Sequence, residues 1–126
     1  MAAAAVPQSV DPSERLTFIK KHSGGVNVLY DYARSDIETF RQKLQSISSD
    51  DERFQLLQMQ DIGGFTVLHY AAAWSATETA QVILESVSEE MRYTLHSMEN
   101  NDKWTPIHMA CVLWNYEVLE MMLRLM

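Results

Sequence analysis

The chain has 126 residues and a formal net charge of −7, with 47% hydrophobic and 21% charged residues. This length allows one domain or a short array of small units, and the composition is that of a folded chain. No apolar stretch approaches the roughly 18 residues that a membrane-spanning helix needs. Residues 61–126 carry three basic and nine acidic side chains. This balance disfavours nucleic acid and anionic membranes as partners, because Lys and Arg recognise both.

The N-terminal part of the chain divides into a tail and a capping region. Residues 1–10 show no periodicity and are expected to form a flexible tail. Residues 11–47 are expected to hold N-terminal helices, the first of them opened by the capping-box pattern Asp11-Pro12-Ser13-Glu14. The segment from Tyr30 to Leu44 weakly repeats residues 70–84, but no Thr-x-Leu-His segment precedes it. We interpret it as a degenerate capping repeat, which is typical of the outer end of a stacked array.

Two further units, residues 48–87 and 88–126, repeat one another without gaps at an offset of 39. The match is densest where Gly64–Ala72 falls on Lys103–Cys111. Threonine before an apolar-periodic run predicts an N-cap, and the proline after the second threonine suits a first helical position. Each unit is therefore expected to contain an acidic connecting helix, a motif helix and a second helix. The expected bounds are Asp50–Met59, Thr66–Ala72 and Thr77–Ser86, then Glu89–Met98, Thr105–Cys111 and Tyr116–Leu125.

These residues resemble the ankyrin repeat, whose hallmark is Gly-x-Thr-Pro-Leu-His-x-Ala-Ala followed by a Glu-Val-Val-x-x-Leu-Leu helix. The second unit follows that pattern closely, from Thr105-Pro106-Ile107-His108 to Met122-Leu123. The resemblance covers about residues 26–126 and implies an all-α solenoid of helical pairs with short β-turn fingers. A period of 39 rather than ~33 adds about six residues to each unit, which we assign to an extra short helix between repeats. Lys103 stands where the family usually has a turn glycine.

A shared apolar core is expected between neighbouring helix pairs. Small alanines allow close approach, and Leu68, Leu84, Ile107 and Leu123 are expected to fill the gaps. Cys111 occupies an alanine position and is interpreted as a small buried hydrophobe. The remaining core expectations concern four methionines and two histidines: Met59, Met98, Met121 and Met122 as packing residues, and His69 and His108 as structural hydrogen-bonding groups.

The sequence offers no pattern for chemistry. His108 and Cys111 lie three residues apart on a helix, but no further ligand accompanies them, whereas structural zinc usually needs four. No nucleophile elbow and no phosphate-binding loop is present. We therefore expect neither a metal nor a cofactor, and no enzymatic activity.

Large side chains at positions that face solvent in ankyrin folds indicate a partner surface. The resemblance places Phe65 and Trp104 at the finger tips, and Ala73, Trp74, Val112 and Leu113 on the concave groove. Asp61 and Asp102 are expected to steer a neutral-to-basic partner. The alternative is that the inserted helices fold over these residues and bury them.

The leading hypothesis is a non-catalytic module that binds another protein through finger tips and concave helix face. The alternative is an N-terminal regulatory or targeting segment of a larger enzyme, kinase or channel; a third possibility is a spacer. The last helix has an unbroken apolar face without a polar cap, so we expect the array to continue, through further repeats or self-association. That face comprises Val118, Leu119, Met122, Leu123 and Met126. The single cysteine favours a reducing, cytoplasmic location.

Overall fold

The computed structural model describes Tyr30 and residues 34–126. Within those residues the elements are seven helices, and no strand is present. They are α1 (Ile37–Ser46), α2 (Asp50–Leu57), α3 (Val67–Ala73), α4 (Thr77–Glu85), α5 (Glu89–Ser97), α6 (Pro106–Val112) and α7 (Tyr116–Arg124). The all-helical class is confirmed, and the six helices expected after residue 48 lie within two residues of their expected bounds. The expected tail at residues 1–10 and the helix from Asp11 lie outside the described residues.

The extra length of each unit forms the connecting helices α2 and α5. Ser49 and Ser88 cap them, each hydroxyl accepting from the backbone N–H three residues on, at 3.3 and 3.4 Å. Arg53 then reaches forward and Arg92 back to the C-terminal end of α4, where their Nε atoms donate to the carbonyls of Ser86 and Leu84, at 2.9 and 2.7 Å. Each connecting helix is thus held at the C-terminal end of α4 by a charge-assisted bond that satisfies an otherwise free helix carbonyl.

The motif helices α3 and α6 begin with the same reciprocal cap. The Thr66 hydroxyl accepts from the His69 N–H at 3.2 Å, while His69 Nδ1 accepts from the Thr66 N–H at 3.1 Å. Thr105 and His108 repeat the arrangement at 3.3 and 3.1 Å. Histidine here does what Glu or Gln does in an ordinary capping box. Its Thr-x-x-His spacing is therefore a local structural requirement.

Both motif helices also end alike, in a turn with one left-handed residue. Ser75 has a φ of 56° and Trp114 a φ of 61°. In each case two successive N–H groups return to carbonyls of the last helical turn, at 2.8 and 3.5 Å after α3 and at 2.9 and 3.2 Å after α6. This is a Schellman-type ending, at which glycine is the usual left-handed residue.

Neighbouring helix pairs share one core. Helix α3 packs against α6 and α4 against α7, while α1 packs against α4 from the other side. Ala71 and Ala72 of α3 are fully buried, so the backbones of α3 and α6 approach closely. The fully buried large apolar side chains are Phe40, Leu44, Leu57, Leu68, Ile83, Leu84, Leu95, Val67, Val118 and Met122.

The outer side of the last helix pair is open, and here two expectations were wrong. Cys111 is exposed, although the equivalent Ala72 is fully buried. Leu123 is 52% exposed, although the equivalent Leu84 is fully buried. The reason is position: α6 and α7 cover the outer side of α3 and α4, and no described helix covers α6 and α7 in turn.

The apolar stripe of α7 is correspondingly split. Val118 and Met122 are buried against the rest of the core, and Leu119 is half-buried. Leu123 and Met126 remain exposed. Of the other core expectations, Met121 is buried, Ile107 is half-buried, and Met59 and Met98 are half-buried against the core. We call the surface formed by Ile107, His108, Cys111, Leu123 and Met126 the outer face.

Candidate protein-interaction surface

Two short turns precede the motif helices and stack in register. In the first, the Gly64 N–H donates to the Asp61 carbonyl at 2.9 Å; in the second, Lys103 donates to Asn100 at 2.9 Å. The Asn101 backbone N–H donates to the Gly63 carbonyl at 2.9 Å, which joins the two turns. These turns are the fingers that the resemblance implies.

The finger tips are not where the sequence placed them. The turn corners hold Ile62 and Asn101, and Ile62 is 99% exposed. Phe65 and Trp104 close the turns from below, because their carbonyls accept the N–H groups of Asp61 and Asn100. The aspartate or asparagine that opens each turn sets this phase. Its side-chain oxygen accepts from the backbone two and four residues on, as in an Asx turn.

The two acidic residues expected to steer a partner differ in their surroundings. Asp61 is occupied within its own turn: one carboxylate oxygen accepts two backbone N–H groups, and the other accepts the Tyr70 hydroxyl. Burial, reinforced by this bond to Asp61, raises the pKa of Tyr70 above its ordinary value. Asp102 is exposed at the second turn. Phe65 is half-buried, with its ring centre 5.7 Å from the His69 ring and 5.6 Å from the Tyr70 ring.

The C-terminal ends of the motif helices and the turns that follow them carry exposed aromatic and apolar side chains. Trp74 is 67% exposed, Trp114 72% and Tyr116 62%, and Leu113 is also exposed. We call these four residues the aromatic ridge. Val112 beside it is exposed and Ala73 is half-buried. The inserted helices do not cover Trp74 or Leu113, so the alternative in which those helices bury the surface is wrong for these two residues.

Asn115 joins the two halves of the ridge. Its side-chain Nδ2 donates to the carbonyls of Ala72 and Ala73, at 2.8 and 3.0 Å. Ala73 is followed directly by Trp74, and Asn115 lies between Trp114 and Tyr116 in the chain. The backbone segments that carry the aromatic side chains of the two units are thus joined by a bond between units.

Trp114 and Tyr116 were missing from the residues chosen on sequence. Their rings form an edge-to-face pair, with centroids 5.8 Å apart and an interplanar angle of 88°. Trp114 occupies a left-handed backbone position, which costs about 1 kcal/mol for a residue other than glycine. A bulky, exposed side chain at such a position contributes little to the core. A strained backbone conformation that brings no packing benefit, as at Trp114, is typical of a functional site.

The family model for ankyrin repeats (three copies) matches residues 42–125, about two thirds of the chain. The chain belongs to the ankyrin-repeat family. The search of curated proteins found no match, and neither did the search of solved structures. The ankyrin-type solenoid expected from the motifs is therefore confirmed. Ankyrin repeats are in general protein–protein interaction modules and are typically non-catalytic.

The two ankyrin histidines differ although their caps are alike. His69 is fully buried, and its Nε2 lies 2.9 Å from the Trp104 carbonyl. Because Nδ1 accepts the Thr66 N–H, the proton of the neutral ring sits on Nε2 and is donated to that carbonyl. Burial lowers the pKa of His69, against the opposing effects of the Trp104 carbonyl and Asp61. His108 is exposed on the outer face.

An open groove of about 440 Å³ lies where the second finger meets the outer face. Asp102, Lys103, Trp104, His108, Cys111 and Val112 line it. Glycine is required at the equivalent place in the first finger, where a Cβ on Gly64 would lie 2.7 Å from the Asn101 backbone nitrogen. Lys103 instead has a φ of 67° and a full side chain. A further finger therefore cannot stack on the second as the second stacks on the first.

The described residues were also searched for metal-binding groups and for membrane-spanning helices. No group of three or more His, Cys, Asp or Glu side chains among them is arranged to hold a metal ion. None of the described helices is long and apolar enough to span a bilayer.

Proposed function

We propose that this ankyrin module binds another protein through the aromatic ridge and the adjoining Ala73 and Val112, without catalysing a reaction. The observation that carries the proposal is the exposure of three large aromatic side chains at two turns that the Asn115 side chain joins, one of them on a strained backbone. Exposed apolar patches mark partner sites, and Trp and Tyr are enriched among the residues that dominate binding energy. We also propose a cytoplasmic location, because a chain with one cysteine cannot form an internal disulfide bond.

The fingers contribute one flank of the same surface. Trp104, Asp102 and Ile62 are exposed there and are proposed as peripheral contacts. The geometry favours supporting roles for Phe65 and Asp61, since Phe65 packs on its neighbours and Asp61 holds the turn. We therefore expect Trp104→Ala to weaken partner capture with unchanged helical content. The Trp104 carbonyl, which holds His69, is retained in that variant.

A matched pair of variants tests the ridge. The double variant Trp74→Ser/Trp114→Ser removes two exposed rings and should abolish capture of the partner from an extract of the protein's own cells. Tyr93→Ser removes an equally exposed ring from α5, outside the ridge, and should leave capture unchanged. Circular dichroism of all proteins should show unchanged helical content. Equal capture by the ridge variant and the wild type would show that the partner binds elsewhere.

The second candidate is a regulatory or targeting segment of a larger enzyme, kinase or channel. One observation favours it: the outer face exposes Leu123 and Cys111 at positions that a neighbouring helix pair covers in the preceding unit. We propose that a further ankyrin-type helix pair covers this face. Lys103 requires its finger to be displaced from the register seen between the first two fingers.

Intact mass of the native protein tests this second candidate. The protein, purified from its own cells with an antibody against residues 34–126, should exceed 14.5 kDa by at least one further helix pair. A mass of 14.5 kDa would remove the candidate. Dimerisation that Leu123→Ser abolishes would then place a second copy on the outer face.

A further inference from the structure

The ridge residues are followed in the chain by acidic residues, Glu78 after Trp74 and Glu117 after Tyr116, and this combination favours one class of partner. We propose that the ridge binds an arginine or lysine side chain of a partner protein, with the cation over the Trp114 and Tyr116 rings and the carboxylates of Glu78 and Glu117 next to it. This inference rests on the proposed function, which supplies the surface, and goes beyond it by naming the chemistry of the ligand.

The ring geometry suits a cation. The faces of aromatic rings carry partial negative charge, and a cation within about 6 Å of a ring centroid is attracted to it. Trp114 and Tyr116 stand nearly perpendicular, with an interplanar angle of 88°, and both are mostly exposed, so they form an open corner. The protein already contains such a contact: the guanidinium carbon of Arg34 lies 5.9 Å from the Tyr30 ring centroid.

The charged residues next to the ridge in the chain are acidic, and the nearest cation among the groove residues is Lys103, which lines the groove with Val112. Glu117 follows Tyr116 in the first turn of α7, and Glu78 has the equivalent place in α4, adjoining the segment that begins at Trp74. Residues 74–80 and 113–120 contain no Lys or Arg. The ion pairs among the described residues are Arg41–Glu38 and Arg53–Asp50, so neither glutamate is neutralised there. An incoming cation would meet two carboxylates that have no ion-pair partner in the described part of the chain, which favours it over a neutral side chain.

The same charges argue against other occupants of an aromatic patch. Nucleic-acid bases stack on Trp and Tyr, but the phosphates that accompany them need Lys or Arg nearby. A peptide rich in Asp or Glu would be repelled by Glu78 and Glu117. A basic segment of a protein satisfies both the rings and the carboxylates.

The test uses a random twelve-residue peptide library displayed on phage, selected on the immobilised full chain. Wild-type protein should enrich Arg and Lys over the unselected library and deplete Asp and Glu. Trp114→Gly should lower the affinity of an enriched peptide at least about tenfold, because it removes one wall of the corner. Glu78→Gln/Glu117→Gln keeps the rings and should lower that affinity about threefold, with a weaker dependence on NaCl. Ser75→Gly, at the equivalent left-handed position of the first unit, is the matched control and should bind as wild type.

Each outcome separates the inference from the proposed function. Ridge-dependent enrichment of peptides without Arg or Lys would overturn the inference and leave the proposed function standing. Enrichment of basic peptides that bind Trp114→Gly as tightly as wild type would also overturn it, since the cation then binds elsewhere. Selection of no ridge-dependent peptide would remove both.

Discussion

His69 and His108 occupy the same place in two successive ankyrin units and form the same helix cap, yet they differ in burial. His69 is buried and donates to the next unit at 2.9 Å, whereas His108 faces solvent. The same contrast holds for Leu84 and Leu123. The inner unit, α3 with α4, is therefore fixed on both sides, while the outer unit, α6 with α7, is fixed on one. Residues of the same motif therefore contribute differently to the free energy of unfolding, because a residue is buried only where an adjacent helix pair covers it.

The largest expected difference between the units is in their equivalent leucines. Leu84→Ala should lower the free energy of unfolding by about 3 kcal/mol, because it leaves a cavity in a closed core. Leu123→Ala should lower it by less than about 1 kcal/mol, because half of that side chain is already in water. Urea denaturation followed by circular dichroism measures both. Equal losses would mean that the outer face is covered in solution.

The two finger positions should respond with opposite sign. Gly64→Ala should destabilise the fold by about 2 kcal/mol, because φ is +84° and the new Cβ would lie 2.7 Å from the Asn101 backbone nitrogen. Lys103→Gly should stabilise it by about 0.5–1 kcal/mol, because it relieves a left-handed backbone and nothing described crowds the site. Thermal melting of both variants checks the signs. Destabilisation by Lys103→Gly would show that the lysine side chain holds the second finger.

The positions of the helices could be predicted from the sequence because the residues that determine them act locally. The threonine caps act within a few residues, and the offset of 39 that relates Ser49 to Ser88 and Arg53 to Arg92 spans a single repeat. Burial at the outer face was missed because it depends on what lies beyond α7. Cys111 was expected to be buried because the equivalent residue, Ala72, lies in an alanine position of the core; the two positions are equivalent in the repeat but have different neighbours.

The finger tip and the ridge show a second limit. The tip expectation failed because the side chain of Asp61, not the aromatic residue, sets the phase of the turn. Trp114 was missed because neither unit has glycine at that position, so no residue in the sequence indicated a left-handed backbone there. Helices commonly end in one left-handed residue, and applying that rule to the turn after each motif helix could have exposed both Ser75 and Trp114.

Acidification should weaken the fold through two buried histidines, His69 of the inner unit and His96 of α5. Burial lowers the pKa of His69 and of His96, so each binds a proton more readily in the unfolded chain than in the folded one. Their stabilisation is complete above the unfolded pKa near 6.5 and is lost as pH falls through the folded-state pKa values. Protonated His69 would also lose the Thr66 N–H bond at Nδ1.

The free energy of unfolding at pH 7.5 and at pH 5.5 measures this effect. The free energy of unfolding should be lower at pH 5.5 than at pH 7.5, and this difference should persist in the control His108→Gln. It should shrink in His69→Gln, with the remainder due to His96, whose buried Nδ1 has no hydrogen-bond partner among the described residues. An unchanged pH dependence in His69→Gln would show that His69 does not set it.

The smallest expected effect in stability is the most informative about function. Trp114→Gly should raise the free energy of unfolding by about 0.5–1 kcal/mol, because glycine accepts a φ of 61° without strain. Ser75→Gly should give a similar gain at the equivalent position of the inner unit. Only the tryptophan variant should lose partner binding, so the pair separates backbone relief from ring loss. A residue whose removal stabilises the fold and abolishes binding is retained for the binding. Should Trp114→Gly instead destabilise the protein, the ring would be a packing residue, and the ridge would lose its main argument.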